Sequence, residues 1–242
     1  MKFARLGAFE AEKPAVMVSE TEAVFVDHLI KDWNRTEFEN GALAKVQAAD
    51  LKALPKVKVA DYRIGSPVAR PTKIICIGLN YAKHAKESGM TVAPEPVVFM
   101  KAADTCVGGF DDLVIPPNSE KTDYEVELAI VIGRICKDVP KERVGDVIFG
   151  YTIANDVTAR DLQAKDGQWT RAKSFDTFCP IGPWIDTDFI PGTQKLTASV
   201  DGQVKQSAQL SDMIFDVPTI VNFVTRVMTL LPGDIILTGT PA

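Results

Sequence analysis

The sequence predicts an α+β protein in which β-strands dominate. Most apolar stretches between residues 72 and 242 are short and extended in character, and turn-forming residues separate them. Apolar residues at helical spacing recur in only a few places, and strands do not alternate regularly with helices. A doubly wound nucleotide-binding sheet requires that regular alternation, so the sequence disfavours this fold.

Residues 1–68 form the first predicted unit, a small N-terminal α/β domain. Strands are expected at KFARLGAF and PAVMVSETEAVFVD, and a helical pattern at EFENGALAKVQAADLKAL. The next segment, VADYRIGSPVARP, contains Gly65, Pro67 and Pro71, which are typical of a linker. We therefore expect a domain boundary near residue 68 and a larger second domain over residues 69–242.

The second domain is predicted to consist mainly of strands. In chain order the extended runs are KIICIGLNY, PVVFMK, DLVIPP, DYEVELAIVIG, FGYTIANDV, GPWIDT, LTASVDGQVKQ and DIILTGTP. The Asp201-Gly202 dipeptide in LTASVDGQVKQ predicts a β-hairpin. Helices are expected at HAKESGM, after Thr158, and over PTIVNFVTRVMTLL.

Charge and composition narrow the class of function. The 242-residue chain has a net charge of −5 and no basic patch, which disfavours nucleic acid and anionic membranes as partners. Its four cysteines and two histidines show no zinc-binding pattern. No apolar run approaches the roughly 18 residues of a membrane span, and the N-terminus lacks the features of a signal peptide. The sequence therefore predicts a soluble cytoplasmic protein that acts on a small molecule or another protein.

Two glutamates, Glu125 and Glu127, open the strand DYEVELAIVIG. Because side chains alternate along a strand, both point to one face, with Cα atoms about 6.5–7 Å apart. Asp156 ends the strand FGYTIANDV, and Thr158 and Asp161 behind it have the spacing of a helix N-cap and its acidic third residue. Three such carboxylates suit Mg²⁺ or Mn²⁺. The alternative for the glutamate pair is a solvated strand end.

His84 and Glu87 lie three residues apart at the predicted helix start. This spacing places them on one helical face, where the carboxylate could orient the imidazole as a general base. Gly89 closes the segment and could act as a hinge. The alternative is an ordinary pair on a surface helix.

Arg160 and Gln163 share a face of the helix expected after Thr158. A guanidinium and an amide there could bind a carboxylate or keto oxygen. The alternative is a surface ion pair of Arg160 with Asp161 or Asp156. Lys173 lies among aromatic residues and prolines, where it could stabilise an oxyanion or simply lie on the surface. Lys101, which follows the apolar run PVVFM, has the same two interpretations.

Five motifs in order along the chain resemble those of the fumarylacetoacetate hydrolase family. They are IGLNYxxHxxE, TDYEVELAIVIG, GYTIANDVTARDLQ, KSFDTFCPIGPW and PGDIILTGTP. Together they extend from about residue 72 to the end of the chain. The N-terminal part resembles that of a bacterial subgroup with a small N-terminal domain.

This resemblance implies a mixed β-roll catalytic domain, usually dimeric, with Mg²⁺ or Mn²⁺ in its active site. The implied metal ligands are Glu125, Glu127 and Asp156. The implied catalytic residues are His84, Glu87 and Lys173. The implied substrate-binding residues are Arg160, Gln163 and Thr240. A homodimer is therefore expected.

The implied activity is cleavage of a C–C bond in a 2,4-dioxo acid, giving pyruvate and a carboxylic acid. The substrate would be an acylpyruvate or a 2,4-dioxo-3-deoxy sugar acid. Alternatives are an oxaloacetate decarboxylase, a 2-hydroxyhepta-2,4-diene-1,7-dioate isomerase or decarboxylase, and a non-catalytic protein that binds a metal and 2-oxo acids. Family members usually continue past TGTP into a last hairpin, and the resemblance leads us to expect a catalytic domain over residues 69–242 without it.

Overall fold

The computed structural model describes residues 1–87 and 89–242, and it confirms the predicted α+β class. The strands are β1 Lys2–Leu6, β2 Lys13–Met17, β3 Glu22–Phe25, β4 Lys56–Lys58, β5 Ile74–Gly78, β6 Val97–Lys101, β7 Cys106–Gly108, β8 Thr122–Asp123, β9 Val126–Ile132, β10 Ile148–Asn155, β11 Thr158–Ala159, β12 Cys179–Asp186, β13 Lys195–Val200, β14 Gln203–Gln209 and β15 Ile235–Leu237. The α-helices are α1 Arg35–Glu39, α2 Ala42–Gln47, α3 Ala82–Glu87, α4 Arg160–Asp166, α5 Thr170–Lys173 and α6 Val217–Val227.

One large mixed sheet organises the molecule. Its strand order is β4-β3-β2-β1-β12-β10-β9-β15-β5-β6, and β7 adds to β12 from outside this path. The pairs β15–β5 and β12–β7 are parallel, whereas the other neighbours in the sheet are antiparallel. Because β1 pairs with β12, the strands of residues 1–68 extend the same sheet as the rest of the chain. The boundary near residue 68 stays a prediction.

Strand β9 lies near the middle of this sheet and is covered on both faces. All seven of its residues are buried. Ala129 and Val131 pack into one apolar cluster, while Leu128, Ile130 and Ile132 pack into another. Burial on both faces explains why this strand is almost continuously apolar. The polar residues at its first end, Glu125 and Glu127, are therefore buried at the edge of two packed cores.

Helix α6 covers one face of the sheet, as its apolar spacing predicted. Ile220, Val221 and Val224 are fully buried in the same cluster as the β9 residues. Each such side chain contributes roughly 1.5–3 kcal/mol when removed from water. Asp216 caps the helix by accepting a hydrogen bond from the backbone N–H of Thr219 at 2.9 Å.

The Asp201-Gly202 turn joins β13 to β14, which confirms the predicted hairpin. Asp201 and Gly202 have φ angles of +51° and +75°, the left-handed values that a two-residue hairpin turn requires. The hairpin forms a separate two-stranded sheet. It lies against the first end of β9, where Gln206 accepts a hydrogen bond from the backbone N–H of Val126 at 2.9 Å.

Three local predictions were wrong or incomplete. The run DLVIPP is not a strand, and the helical pattern EFENGALAKVQ forms two helices interrupted at Gly41, where φ is +76°. Thr158 does not cap α4, since it pairs in β11 and its hydroxyl donates to the Asp156 carbonyl. Ala159 occupies the N-cap position without a side-chain hydrogen bond.

Across the described residues, every helix is too short or too polar to cross a bilayer.

Candidate metal centre and active-site cleft

The strand pairing brings three carboxylates together. Glu125 and Glu127 are the two neighbours of Val126 in the chain. Strands β9 and β10 are antiparallel, and Val126 lies opposite Asn155, the last residue of β10. Asp156 follows directly, and its backbone N–H donates to the carbonyl of Glu125 at 2.8 Å. One ligand atom from each of the three carboxylates lies within 4.8 Å of the others. Each of the three residues is at most 4% exposed, so the solvated alternative for the glutamates was wrong.

Two buried lysines neutralise part of this charge. The ammonium of Lys173 donates to Glu125 Oε2 at 2.7 Å and to Asp156 Oδ2 at 2.6 Å. Lys101 donates to Asp156 Oδ1 at 2.7 Å and to the carbonyl of Val157 at 3.2 Å. Both lysines are 2% exposed, which excludes a surface role. The sequence left the interpretation of Lys101 open, because its only local signal was its place at the end of an apolar strand.

Arg160 forms the third cationic contact, from the first position of α4. Its Nη1 lies 2.5 Å from Glu125 Oε1, and its Nε donates to Asp123 Oδ2 at 2.9 Å. Nη1 also donates to Gln163 Oε1 at 3.2 Å, so the predicted shared face of Arg160 and Gln163 is present. Asp123 lies at the open side of the triad and orients the guanidinium, which is a structural role.

Burial and charge act differently on the three carboxyl groups. Burial raises the pKa of Glu127 well above its usual range, and the Asp156 and Glu125 carboxylates add to that rise. Burial would also raise the pKa of Asp156, but Lys101 and Lys173 outweigh it and lower that pKa. Burial opposes the charge of Lys173, yet the surrounding carboxylates raise its pKa. Glu127 therefore carries the least compensated charge in the site.

The residues present fit a divalent cation. Each carboxylate oxygen has two lone pairs, so oxygens of Glu125 and Asp156 that accept from lysine or arginine can still accept a metal. Hard oxygen donors of this kind prefer Mg²⁺ or Mn²⁺. A cation beside Glu127 would also favour its ionised form. Glu125, Glu127 and Asp156 could therefore hold the ion that the sequence predicted.

A cleft of about 450 Å³ opens above the carboxylates. Its walls include His84, Glu87, Arg160, Gln163 and Trp169. A smaller recess, lined in part by Glu125, Glu127, Lys173 and Thr240, leads to the buried charges. Most residues predicted for the site therefore surround one continuous space.

His84 and Glu87 both lie on α3 at the wall of the cleft, but their contact is looser than expected. His84 is half-buried, whereas Glu87 is exposed. Within the described part of the chain, the two side chains share no hydrogen bond. Burial lowers the pKa of His84 despite the opposing effect of the Glu125 carboxylate. After α3, Met90 also lines the cleft, and Ser88 lies outside the described residues.

The segment after β15 closes the site from the other side. Gly239 donates its backbone N–H to Glu127 Oε2 at 2.6 Å. Thr240 donates its hydroxyl to the carbonyl of Val126 at 3.0 Å. The TGTP motif thus holds the strand that carries the glutamates, and the side chain of Thr240 is 3% exposed.

We expect Gly239→Ala to destabilise the protein and weaken cation binding. Gly239 has φ of +100°, and an added Cβ would lie 2.6 Å from the Cβ of Asn80. Gly41→Ala is the matched control, because Gly41 has φ of +76° but nothing within 4 Å of an added Cβ. Backbone strain should cost about 1–2 kcal/mol in both variants. Overpacking should add ~1–3 kcal/mol at Gly239 alone. Urea unfolding measures both losses, and equal losses would contradict the steric argument.

The family model for the C-terminal part of fumarylacetoacetate (FAA) hydrolase matches residues 73–242. This chain belongs to the fumarylacetoacetate hydrolase family. The match covers well over half of the chain and includes the triad, both lysines and the TGTP motif. The resemblance found in the five motifs is therefore confirmed.

Solved structures of the family share the whole fold. A fumarylacetoacetate hydrolase from Exiguobacterium antarcticum is 37% identical, with a TM-score of 0.88 over 100% of this chain and 87% of that chain. The 2-hydroxyhepta-2,4-diene-1,7-dioate isomerase of Mycobacterium marinum is 40% identical, with a TM-score of 0.82 over 100% of this chain and 88% of that chain. A maleylpyruvate hydrolase from a Sphingobium species, solved with manganese(II) and pyruvate, is 30% identical, with a TM-score of 0.84 over 100% and 89%.

Proposed function

We propose that this protein is a divalent-metal-dependent hydrolase that cleaves the C3–C4 bond of a 2,4-dioxo acid. The products would be pyruvate and a carboxylic acid. The observation that carries the proposal is the buried triad of Glu125, Glu127 and Asp156 at the base of a cleft that His84 also lines. The maleylpyruvate hydrolase relative, which was solved with manganese and pyruvate, supports the same choice of metal and product.

The balance of charge in the site supports an anionic substrate. The four clustered carboxylates belong to Asp123, Glu125, Glu127 and Asp156. The cationic groups that contact them belong to Lys101, Lys173 and Arg160. With all four carboxylates ionised, one negative charge is left over, and a bound divalent cation would change this to one positive charge. A single positive charge suits the carboxylate of a 2-oxo acid.

His84 is the candidate general base. Its lowered pKa keeps the imidazole neutral near pH 7, so it can accept a proton from water. The hydroxyl adds to C4 of the substrate, the C3–C4 bond breaks, and the bonding electrons pass to C3 as an enolate. The imidazolium then returns the proton to C3, which balances the reaction and yields pyruvate.

The other polar groups bind and orient the substrate. Arg160 and Gln163 lie on the same wall of the cleft and offer N–H donors to a carboxylate or keto oxygen. Lys173 offers a fixed positive charge where negative charge develops on oxygen. A bound Mg²⁺ or Mn²⁺ would polarise the 2-oxo group as a Lewis acid.

Release of pyruvate from an acylpyruvate tests this function. We expect turnover with Mg²⁺ or Mn²⁺ and none after chelation with EDTA. His84→Ala should lower kcat by about 10²–10⁴-fold, the usual contribution of a general base. The matched control is His28→Ala, since the chain's other histidine is exposed and does not line the cleft. An unreactive protein with bound metal would refute the proposal.

An isomerase or decarboxylase acting on a 2-oxo acid is the second candidate. The 40% identity to the Mycobacterium marinum isomerase favours it. Decarboxylation of oxaloacetate requires no attacking water, so it should depend less on His84 than on Glu125. Assays of His84→Ala and Glu125→Ala on oxaloacetate, a dienedioate and an acylpyruvate separate the two functions. Water activation is assigned to His84 if two results are found together. Both variants should lose the same activity on the acylpyruvate, and His84→Ala should lose less activity on oxaloacetate than Glu125→Ala.

A further inference from the structure

Gln206 is buried in a strand that is otherwise open to solvent. Strand β14 has the sequence QVKQSAQ, and Gln206 is 6% exposed while the strand's other residues are exposed or half-buried. A buried amide is costly unless its oxygen and nitrogen both find partners. The contacts of this side chain therefore indicate why the position is buried.

The amide of Gln206 completes a closed set of hydrogen bonds. Its Oε1 accepts from the backbone N–H of Val126 at 2.9 Å. Its Nε2 donates to Thr240 Oγ1 at 2.8 Å and to the carbonyl of Pro241 at 2.7 Å. Thr240 Oγ1 in turn donates to the carbonyl of Val126 at 3.0 Å. Gln206 and Thr240 together hold the N–H and the C=O of the same residue.

Val126 is the residue between Glu125 and Glu127, so a shift of its backbone moves both carboxylates. We propose that Gln206 is a positioning residue that fixes the separation of these two carboxylates for cation binding. The hairpin β13–β14 thereby becomes part of the metal site without supplying a ligand. This inference rests on the proposed metal-dependent function.

The same contacts reach the far end of the site. Gly239, next to Thr240, donates to Glu127 Oε2. Loss of the Gln206 amide therefore loosens both the strand that carries Glu127 and the loop that holds its carboxylate. Groups one contact away from a metal ligand typically change metal affinity or activity by about 10–100-fold.

The test compares Gln206→Met with Gln203→Met. Both variants replace a glutamine of β14 by a side chain of similar length. Gln203 is exposed, and among the described residues its side chain hydrogen-bonds only with the exposed Lys205. Mn²⁺ affinity is measured by calorimetry without substrate, and the Mn²⁺ EPR spectrum reports ligand geometry. Gln206→Met should weaken Mn²⁺ binding about 10–100-fold and alter the spectrum. Gln203→Met should change affinity by no more than about twofold.

Thr240→Val tests the same contacts from the other side and remains informative if Gln206→Met folds poorly. It should also weaken Mn²⁺ binding, and the double variant should bind little worse than the weaker single variant, because the two side chains act as one unit. If the losses of Mn²⁺ affinity in the two single variants multiplied in the double variant, the two side chains would act independently, which would refute this prediction. If Gln206→Met and Thr240→Val both bind Mn²⁺ as tightly as Gln203→Met does, the positioning role is overturned. The proposed function would still stand. A wild-type protein that binds no Mn²⁺ would overturn both.

Discussion

Asp156→Asn should destabilise the metal-free protein by about 3–5 kcal/mol, the usual cost of removing one partner from a buried ion pair. Asp156 is fully buried and accepts hydrogen bonds from Lys101 and Lys173. Asparagine would leave both ammonium groups in a dry environment with less compensation. Lys101 would suffer most, since its other hydrogen bond within the described chain goes to a backbone carbonyl. Urea unfolding in the presence of EDTA measures the loss.

The matched control for this variant is Asp146→Asn. Asp146 pairs with Arg143 at 2.9 Å, but both side chains are exposed. A surface pair of this kind contributes about 0–1 kcal/mol. Asp156→Asn should also abolish Mn²⁺ binding, which Asp146→Asn should leave intact. Equal stability of the two variants would show that the buried lysines find other partners or lose their charge.

Glu127→Gln should abolish cation binding without destabilising the metal-free protein. Burial and the neighbouring carboxylates raise the pKa of Glu127, so its negative charge is unfavourable in the absence of a metal. Glutamine removes that charge, and its carbonyl oxygen can still accept the hydrogen bond from Gly239. We expect unfolding free energy equal to or above that of the wild type. Mn²⁺ affinity should fall by more than about 100-fold, the upper end for residues one contact removed from a ligand.

Glu125→Gln is the matched comparison, two residues earlier in the chain and directly before β9. Glu125 contacts Arg160 and Lys173, so its loss leaves two cations with fewer partners. This variant should lose both Mn²⁺ binding and stability. A fall in metal-free stability for Glu127→Gln as large as that for Glu125→Gln would contradict the assignment of Glu127 as the least compensated carboxylate.

The stability difference between Glu127→Gln and wild type should depend on pH. A carboxyl whose pKa is raised by folding binds its proton more tightly in the native state. Wild-type stability therefore falls, relative to the variant, as pH rises from the ordinary carboxyl value of 4.5 toward the raised value. Denaturant unfolding with EDTA at several pH values measures this difference. If the stability advantage of Glu127→Gln over the wild type narrowed as pH rises, it would contradict the raised pKa of Glu127.

Local pattern in the sequence determined much of this protein. The side-chain alternation expected of extended chain placed Glu125 and Glu127 on one face, and their carboxylates do lie together. The Asp201-Gly202 dipeptide predicted the hairpin turn. The order of five motifs identified the family, as the match over residues 73–242 confirms. These signals are short-range or collinear, so they can be read without knowing which strands pair. The homodimer and the cytoplasmic location remain predictions.

The tertiary structure decided which charges meet. Lys101 contacts Asp156 across 55 positions, and Gln206 contacts Val126 across 80. Arg160 pairs with Asp123 and Glu125. The sequence had instead offered Asp161 or Asp156 as its alternative partner. Such contacts depend on strand order and on burial, because a side chain in a dry interior takes whichever partner the sheet places opposite it. The sequence alone therefore predicted three carboxylates as metal ligands, and only the fold shows that they lie together, in contact with buried lysines.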